Sequence, residues 1–187
     1  MDAKEKVLRS IYAAALDKAS EPEAIVVLAL DDEAVWLAFG AQSRPTQVVP
    51  LPLGLSTLAA RFFGGGTFSE LAIEQAIAEV EERVMPWQRQ LPSPARLFTA
   101  DADIVDIARW AGMPEEGRTW RLSTDSVERL FNRWIARAQG RPASRDALPL
   151  TARFSASLLV LRECLHHLGF DGVTLLRDLP ISTAGAA

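Results

Sequence analysis

The turn Asp31-Asp32-Glu33 sets three carboxylates side by side, between the apolar runs Leu28-Ala29-Leu30 and Ala34-Val35-Trp36-Leu37-Ala38-Phe39. Asp101 and Asp103 form a second acidic point, just after the short run Arg96-Leu97-Phe98-Thr99. Oxygen ligands of this kind suit Mg2+ or Ca2+, the hard divalent cations. Loops at the carboxyl ends of neighbouring strands meet in open α/β sheets, so all five side chains are candidates for one ligand site. The competing account is a solvated acidic turn plus a helix N-terminus whose aspartates face the positive end of the helix dipole.

Other chemistry-bearing residues have plainer readings. His166 and His167 are adjacent on a helical pattern, so they point about 100° apart and do not share a metal as an i, i+4 pair would. Arg129, Arg133 and Arg137 recur every four residues, opposite Leu130 and Trp134. That is the pattern of a solvated helix face laced with Arg–carboxylate pairs, or of a grip on an acidic partner. Gly64-Gly65-Gly66 follows a helical pattern and not a strand, which makes it a helix–helix connection and not a phosphate loop. Cys164 sits in an apolar run and reads as a core residue. No Ser-His-Asp or Cys-His set is evident. No catalytic residue and no metal-ligand set is assigned.

The elements that must position the acidic turn are legible. Leu8, Ile11, Tyr12, Ala15 and Leu16 mark one face of a first helix. Residues 24–30 form a continuous apolar run and read as a buried strand. Residues 34–39 and 46–51 are two further strands, the last limited by Pro50 and Pro52. A helix is predicted over 56–63. Thr67 and Glu70 supply a capping box for the next one, whose core face is Ile73, Ala76, Ile77, Val80 and Val84. A strand at 96–99 and a helix at 101–111 follow. Ser123 or Thr124 caps an amphipathic helix with Val127, Leu130, Phe131, Trp134 and Ile135 inward. After the loop 140–149 a long apolar helix stops at Leu168-Gly169. Residues 173–176 are a last strand, and 181–187 a flexible tail.

Three sequential strands with short turns imply an antiparallel meander, and two later strands reached through helices add in parallel. The expected fold class is therefore α/β: a mixed five-stranded sheet of ribonuclease-H-like topology, helices on its faces, in a single domain over 1–180. An α/β domain of another topology is the alternative. The chain has 187 residues, 49% hydrophobic and 24% charged, with net charge −4. That balance gives no electrostatic help to nucleic acid or an anionic membrane. One cysteine excludes a disulfide framework, and no run of 18 apolar residues or signal h-region is present. A cytoplasmic protein is expected.

Leu51-Pro52-Leu53-Gly54, followed by a helix ending Ala60-Arg61-Phe62-Phe63, resembles the Leu-Pro-Leu-Gly segment of the exopolyphosphatase/guanosine-pentaphosphate phosphatase family. The helix at 5–16 and the segments 96–112, 122–136 and 158–173 follow that family's order. The resemblance spans about residues 5–177 and corresponds to the second half of an actin-like catalytic module. It implies a position-by-position comparison. The family's first phosphate loop, Asp-x-Gly-Gly-Gly-Ser-Thr-Glu, places its Asp on Ala29, its glycines on Asp31, Asp32 and Glu33, its Ser on Ala34 and its Glu on Trp36. The second, Gly-Gly-Thr, falls on Asp101, Ala102 and Asp103. Glycines that let backbone N–H groups approach phosphate are thus replaced by carboxylates that repel it. The family's Ser/Asp-x-Gly-Leu-Arg-x-Gly ending is absent after Leu176.

The expected function is accordingly a degenerate, exopolyphosphatase-like half-domain acting as a non-catalytic interaction or regulatory module. The first alternative is a residual polyphosphate or guanosine-pentaphosphate phosphohydrolase working with a separately encoded lobe. The second is a divalent-ion module using Mg2+ or Ca2+; otherwise no cofactor is expected. A homodimer or a partner lobe is expected to cover the surface that two-lobed relatives present to their sister lobe.

Overall fold

The structure is a computed structural model that describes residues 3–19, 23–65, 68–114, 117, 119–177 and 179. The chain order is α1 (Ala3–Leu16), β1 (Ala24–Ala29), β2 (Val35–Gly40), β3 (Gln47–Leu51), α2 (Leu55–Phe63), α3 (Glu70–Val84), a 3-10 turn (Met85–Trp87), β4 (Ala95–Thr99), α4 (Ala102–Trp110), β5 (Thr119–Ser123), α5 (Thr124–Ala138), α6 (Ala152–Leu168) and β6 (Gly172–Leu176). The sheet order is β3-β2-β1-β4-β6-β5.

β1, β2 and β3 form the expected antiparallel meander, with Val27 opposite Ala38 and Leu37 opposite Val49. β4 pairs parallel to β1, and β6 parallel to β4. Every residue of β1 is buried, as a strand covered on both faces demands. Pro50 lies in β3, and β3 is an edge strand, where a missing N–H breaks no ladder.

The expectation of five strands needs correction, because the sheet has six. The extra strand, β5, runs antiparallel to β6, with Trp120 opposite Leu175 and Leu122 opposite Val173. Its pattern is half polar: Thr119 and Arg121 are exposed while Trp120 and Leu122 are buried. Such a short alternating segment offers no apolar run to read. The cap of α3 also differs. Ser69 is the N-cap and its hydroxyl accepts from the Ala72 N–H. Thr67, Gly66 and the tail 181–187 lie outside the described residues.

Two apolar layers flank the sheet. One face, through Val26, Leu28, Leu37, Leu97 and Val173, packs against buried residues of α2 to α6. The other, through Ile25, Val27, Ala38 and Phe98, packs against Leu8, Ile11, Tyr12 and Ala15 of α1. α6 is the pivot of the first layer: Leu158 to Leu161, Cys164 and Leu165 are all buried. Gly169 ends it at φ 78°, the left-handed conformation that the Leu168-Gly169 stop predicts. Among the described residues no helix is long and apolar enough to cross a membrane.

Candidate functional site

β1 and β4 are parallel neighbours, so the acidic turn after β1 and the aspartates after β4 emerge at the same end of the sheet. A buried hydroxyl and a carboxylate join them. Thr99 Oγ1 donates to the Leu28 carbonyl at 2.8 Å and accepts from the Asp101 N–H at 3.1 Å. Asp101 Oδ2 accepts from the Leu30 N–H at 2.8 Å, while Oδ1 caps α4 through the Asp103 N–H at 3.0 Å. Asp101 is thus a structural acceptor for two backbone donors.

The acidic turn folds back on α2. The Asp31 carbonyl accepts from the Leu55 N–H at 3.0 Å, and the Asp32 carbonyl from the Ser56 N–H at 3.3 Å. These are orphan donors at the start of α2, whose N-cap is Gly54 and which has no side-chain cap. A Cβ on Gly54 would stand 2.4 Å from the Asp32 carbonyl oxygen. The distinctive Leu-Pro-Leu-Gly segment therefore has a local reason here: only glycine lets turn and helix come this close.

The carboxylates are neutralised from within the chain. Arg153, in the first turn of α6, reaches both loops. Its Nε donates to Asp103 Oδ1 at 3.1 Å and its Nη2 to Oδ2 at 2.9 Å, while Nη1 meets Asp32 Oδ1 at 2.5 Å. Asp103 holds the guanidinium pKa above its usual value, with Asp32 adding to the effect. The Asp32 carboxyl is in turn held below the usual range by Arg153, helped by the Ser56 hydroxyl. Lys4 of α1 pairs with Asp31 at 2.7 Å. Glu33 is exposed at the tip. Four of the five candidate residues are thereby engaged: Asp32 and Asp103 converge on one cation, Asp31 turns to another, and Asp101 faces backbone. A divalent ion entering between Asp32 and Asp103 must displace Arg153.

Burial pushes the Asp101 carboxyl up to about 6, with the Asp103 charge adding to it and the Leu30 N–H opposing. The sign of its effect follows. Below that value the folded protein holds a proton that the unfolded chain, at 3.8, has already released. Stability from this group therefore rises as pH falls from about 7 to about 5. Asp32 acts in the opposite sense: its contribution is present above the unfolded value and lost as pH falls through its lowered folded one. Thermal melts should show the highest stability in mildly acid buffer. Asp101→Asn should remove part of the rise between about pH 7 and about pH 5. Glu163 is also raised by burial, against the pull of Arg162, and acts in the same direction as Asp101. A profile unchanged by Asp101→Asn would contradict this assignment.

No family model matches the chain, and no curated protein matches it. Solved structures do. The fold is that of Ppx/GppA phosphatases. The chain aligns with the type II variant of the Aquifex aeolicus Ppx/GppA phosphatase at a TM-score of 0.71 and 14% identity, covering 92% of this chain and 59% of that one. An exopolyphosphatase from Cytophaga hutchinsonii gives 0.69 at 16% identity, covering 94% and 59%. An exopolyphosphatase-like protein gives 0.66 at 14% identity, covering 93% and 60%. The chain thus spans about three fifths of the length of these proteins. The expected resemblance, a half-module of actin-like topology, holds at the level of fold.

Arg153 is the site residue that sequence reasoning missed. It lies 50 residues from Asp103 and 121 from Asp32 in sequence, and no local pattern marks it. On the arginine stripe of α5, Arg129 is exposed, Arg133 makes a two-pronged pair with Asp146, both contacts at 3.0 Å, and Arg137 is half-buried. Cys164 is buried, and burial pushes its thiol up to about 12, which removes nucleophilic character at neutral pH. His166 is exposed, but His167 is not simply a helix-end residue facing water; it meets Glu81 and Glu163.

Proposed function

We infer that the chain is a non-catalytic, actin-like half-module that acts by interaction or regulation. The observation that carries this reading is Arg153 tying Asp32 to Asp103. Phosphoryl transfer depends on positioning the transferred group and neutralising its oxygens. In this cleft the loops present carboxylates, and the nearest arginine is already saturated by them. An entering polyphosphate would meet Asp31, Asp32, Glu33 and Asp103 with Lys4 and Arg153 both paired. Repulsion and the loss of three ion pairs oppose it.

The test is phosphate release from polyphosphate and guanosine pentaphosphate with Mg2+. None above background is expected. The triple variant Asp31→Gly, Asp32→Gly, Glu33→Gly should also show none, since Arg153 and Asp103 remain. Turnover by the wild type that vanishes in the triple variant would overturn the reading in favour of a residual phosphohydrolase.

The partner reading is a homodimer or a complex with a separately encoded lobe. The exposed large hydrophobics are Leu71, Met85 and Trp110 among the described residues. Leu71 and Met85 lie near opposite ends of α3, on the order of 20 Å apart, and form no single patch. Trp110 stands beside the site, in a hollow of about 320 Å³ shared with Asp103, Asp106, Pro149 and Arg153. A contact on this edge places the partner against the loops. Light scattering at micromolar concentration distinguishes dimer from monomer.

A further inference from the structure

A second cluster of ligand atoms lies at the other end of α6. Glu163 and His167 are four residues apart, so they share one face of the helix. Glu81 of α3 faces them. His167 Nε2 is 3.0 Å from Glu81 Oε1 and 3.2 Å from Glu163 Oε2. All three ligand atoms lie within 4.8 Å of one another. Glu163 is 1% exposed, among the mostly apolar buried residues of α6. Its Oε1 is paired with Arg162, which also binds Glu128 of α5 at 3.0 Å. Its Oε2 is buried and accepts no hydrogen bond. Nε2 carries at most one proton, and it meets hydrogen-bond geometry with Glu81, at 3.0 Å, and not with Glu163. A buried carboxylate oxygen aimed at an imidazole nitrogen, with no donor of its own, is costly unless something positive fills the gap.

We propose that Glu81, Glu163 and His167 bind a divalent transition ion of the Zn2+ or Co2+ class. One imidazole nitrogen and two carboxylate oxygens make a donor set that zinc accepts, and that Mg2+ and Ca2+, which take oxygen, do not favour. Tetrahedral coordination with bonds of about 2.0–2.1 Å needs ligand atoms about 3.3 Å apart. The 3.0 and 3.2 Å separations are close to that. Glu81 is the most exposed of the three side chains, at 37%, and supplies the movement that closes the third edge. Arg162, held by Glu128, fixes the rotamer of Glu163 through its other oxygen and leaves Oε2 for the ion. The ion would cross-link α3 to α6 and leave a fourth position for water. It is independent of the acidic loops.

The test is titration of chelator-stripped protein with Zn2+ alone, followed by thermal melts, and with Co2+, followed by its visible absorption. Saturable one-to-one binding is expected, with melting raised by about 5–10 °C at a hundredfold excess over Kd. Glu81→Gln, at an accessible position where folding is not at risk, and His167→Gln should each weaken binding by more than the about 10–100-fold that loss of a supporting contact costs. His166→Gln and Asp103→Asn should leave binding unchanged. Absence of saturable binding by the wild type at about 100 times a micromolar Kd overturns the proposal. So does binding that survives both Glu81→Gln and His167→Gln, or equal stabilisation by Mg2+.

Discussion

Trp134→Ala is expected to lower the melting temperature by about 10 °C or more, the equivalent of roughly 3–5 kcal/mol in a chain of this size. Trp134 is fully buried, and it is the largest such side chain. It stacks on Phe131 at 5.4 Å and on Phe68 at 5.7 Å, and meets Phe63 edge-on at 5.8 Å. These rings come from α5, α2 and the segment leading into α3, so the indole is the common filler between three parts of the helical layer. Its Nε1 donates to Ser155 Oγ at 3.1 Å. Ser155 also donates to the Thr151 carbonyl at 2.9 Å, so truncation does not orphan the hydroxyl. The loss is then one of packing and cavity formation. Trp134→Phe, which refills much of the space, should recover more than half of the stability. Melting followed by circular dichroism decides this. A fall of less than about 3 °C would mean that the layer collapses into the hole and that Trp134 is not its keystone.

The same residue shows how far the sequence reaches. Val127, Leu130, Phe131 and Trp134 fall on one helical stripe, and all are buried. β1 was legible because it is a six-residue apolar run covered on both faces. β5 was not, because a half-exposed strand of five residues, two of them Thr and Arg, carries too few alternations to separate it from a loop. The segment Thr67-Phe68-Ser69-Glu70 holds two hydroxyls suited to capping, and Ser69, with its backbone extended at the turn into α3, takes the cap. Spacing alone favoured Thr67. The boundary of a helix depends on how the chain arrives, which composition does not encode.

The candidate site divides along the same line. Residue type made Asp31, Asp32, Asp101 and Asp103 visible, and their convergence follows from two parallel strands ending together. What each carboxylate binds was hidden, because every partner is remote or backbone: Lys4 and Arg153 for three of them, Leu30 N–H for the fourth. The pair Glu163 and His167 was open to reading, since four residues separate them on one helix. Glu81, 86 residues from His167, was not. Local periodicity places a side chain on a face, and only the tertiary fold says what stands opposite.

Gly54→Ala should destabilise the protein by about 2–4 kcal/mol, far more than an exposed Gly→Ala change elsewhere. The backbone at Gly54, φ −83° and ψ 132°, is one that alanine adopts freely. On conformational grounds alone the change should stabilise by about 0.4–1 kcal/mol through the unfolded chain. Contact decides the opposite sign. The new Cβ would lie 2.4 Å from the Asp32 carbonyl oxygen and 2.9 Å from that of Glu33. Both are backbone atoms of a turn held by Thr99, Asp101 and Arg153, so they do not yield as the end of a flexible side chain would. Relief requires the turn and α2 to separate. That lengthens the Leu55 and Ser56 N–H bonds to the Asp31 and Asp32 carbonyls, each worth about 0.5–1.5 kcal/mol net. The turn would also shift relative to Arg153. Two readouts follow: a lower melting temperature, and faster amide exchange at Leu55 and Ser56 while the central strand β1 stays protected. Because the contact is to main-chain oxygens, replacing Asp31, Asp32 and Glu33 by glycine in the same protein should not restore stability. Restoration would show that the acidic side chains, and not the close backbone approach, make glycine necessary at this position.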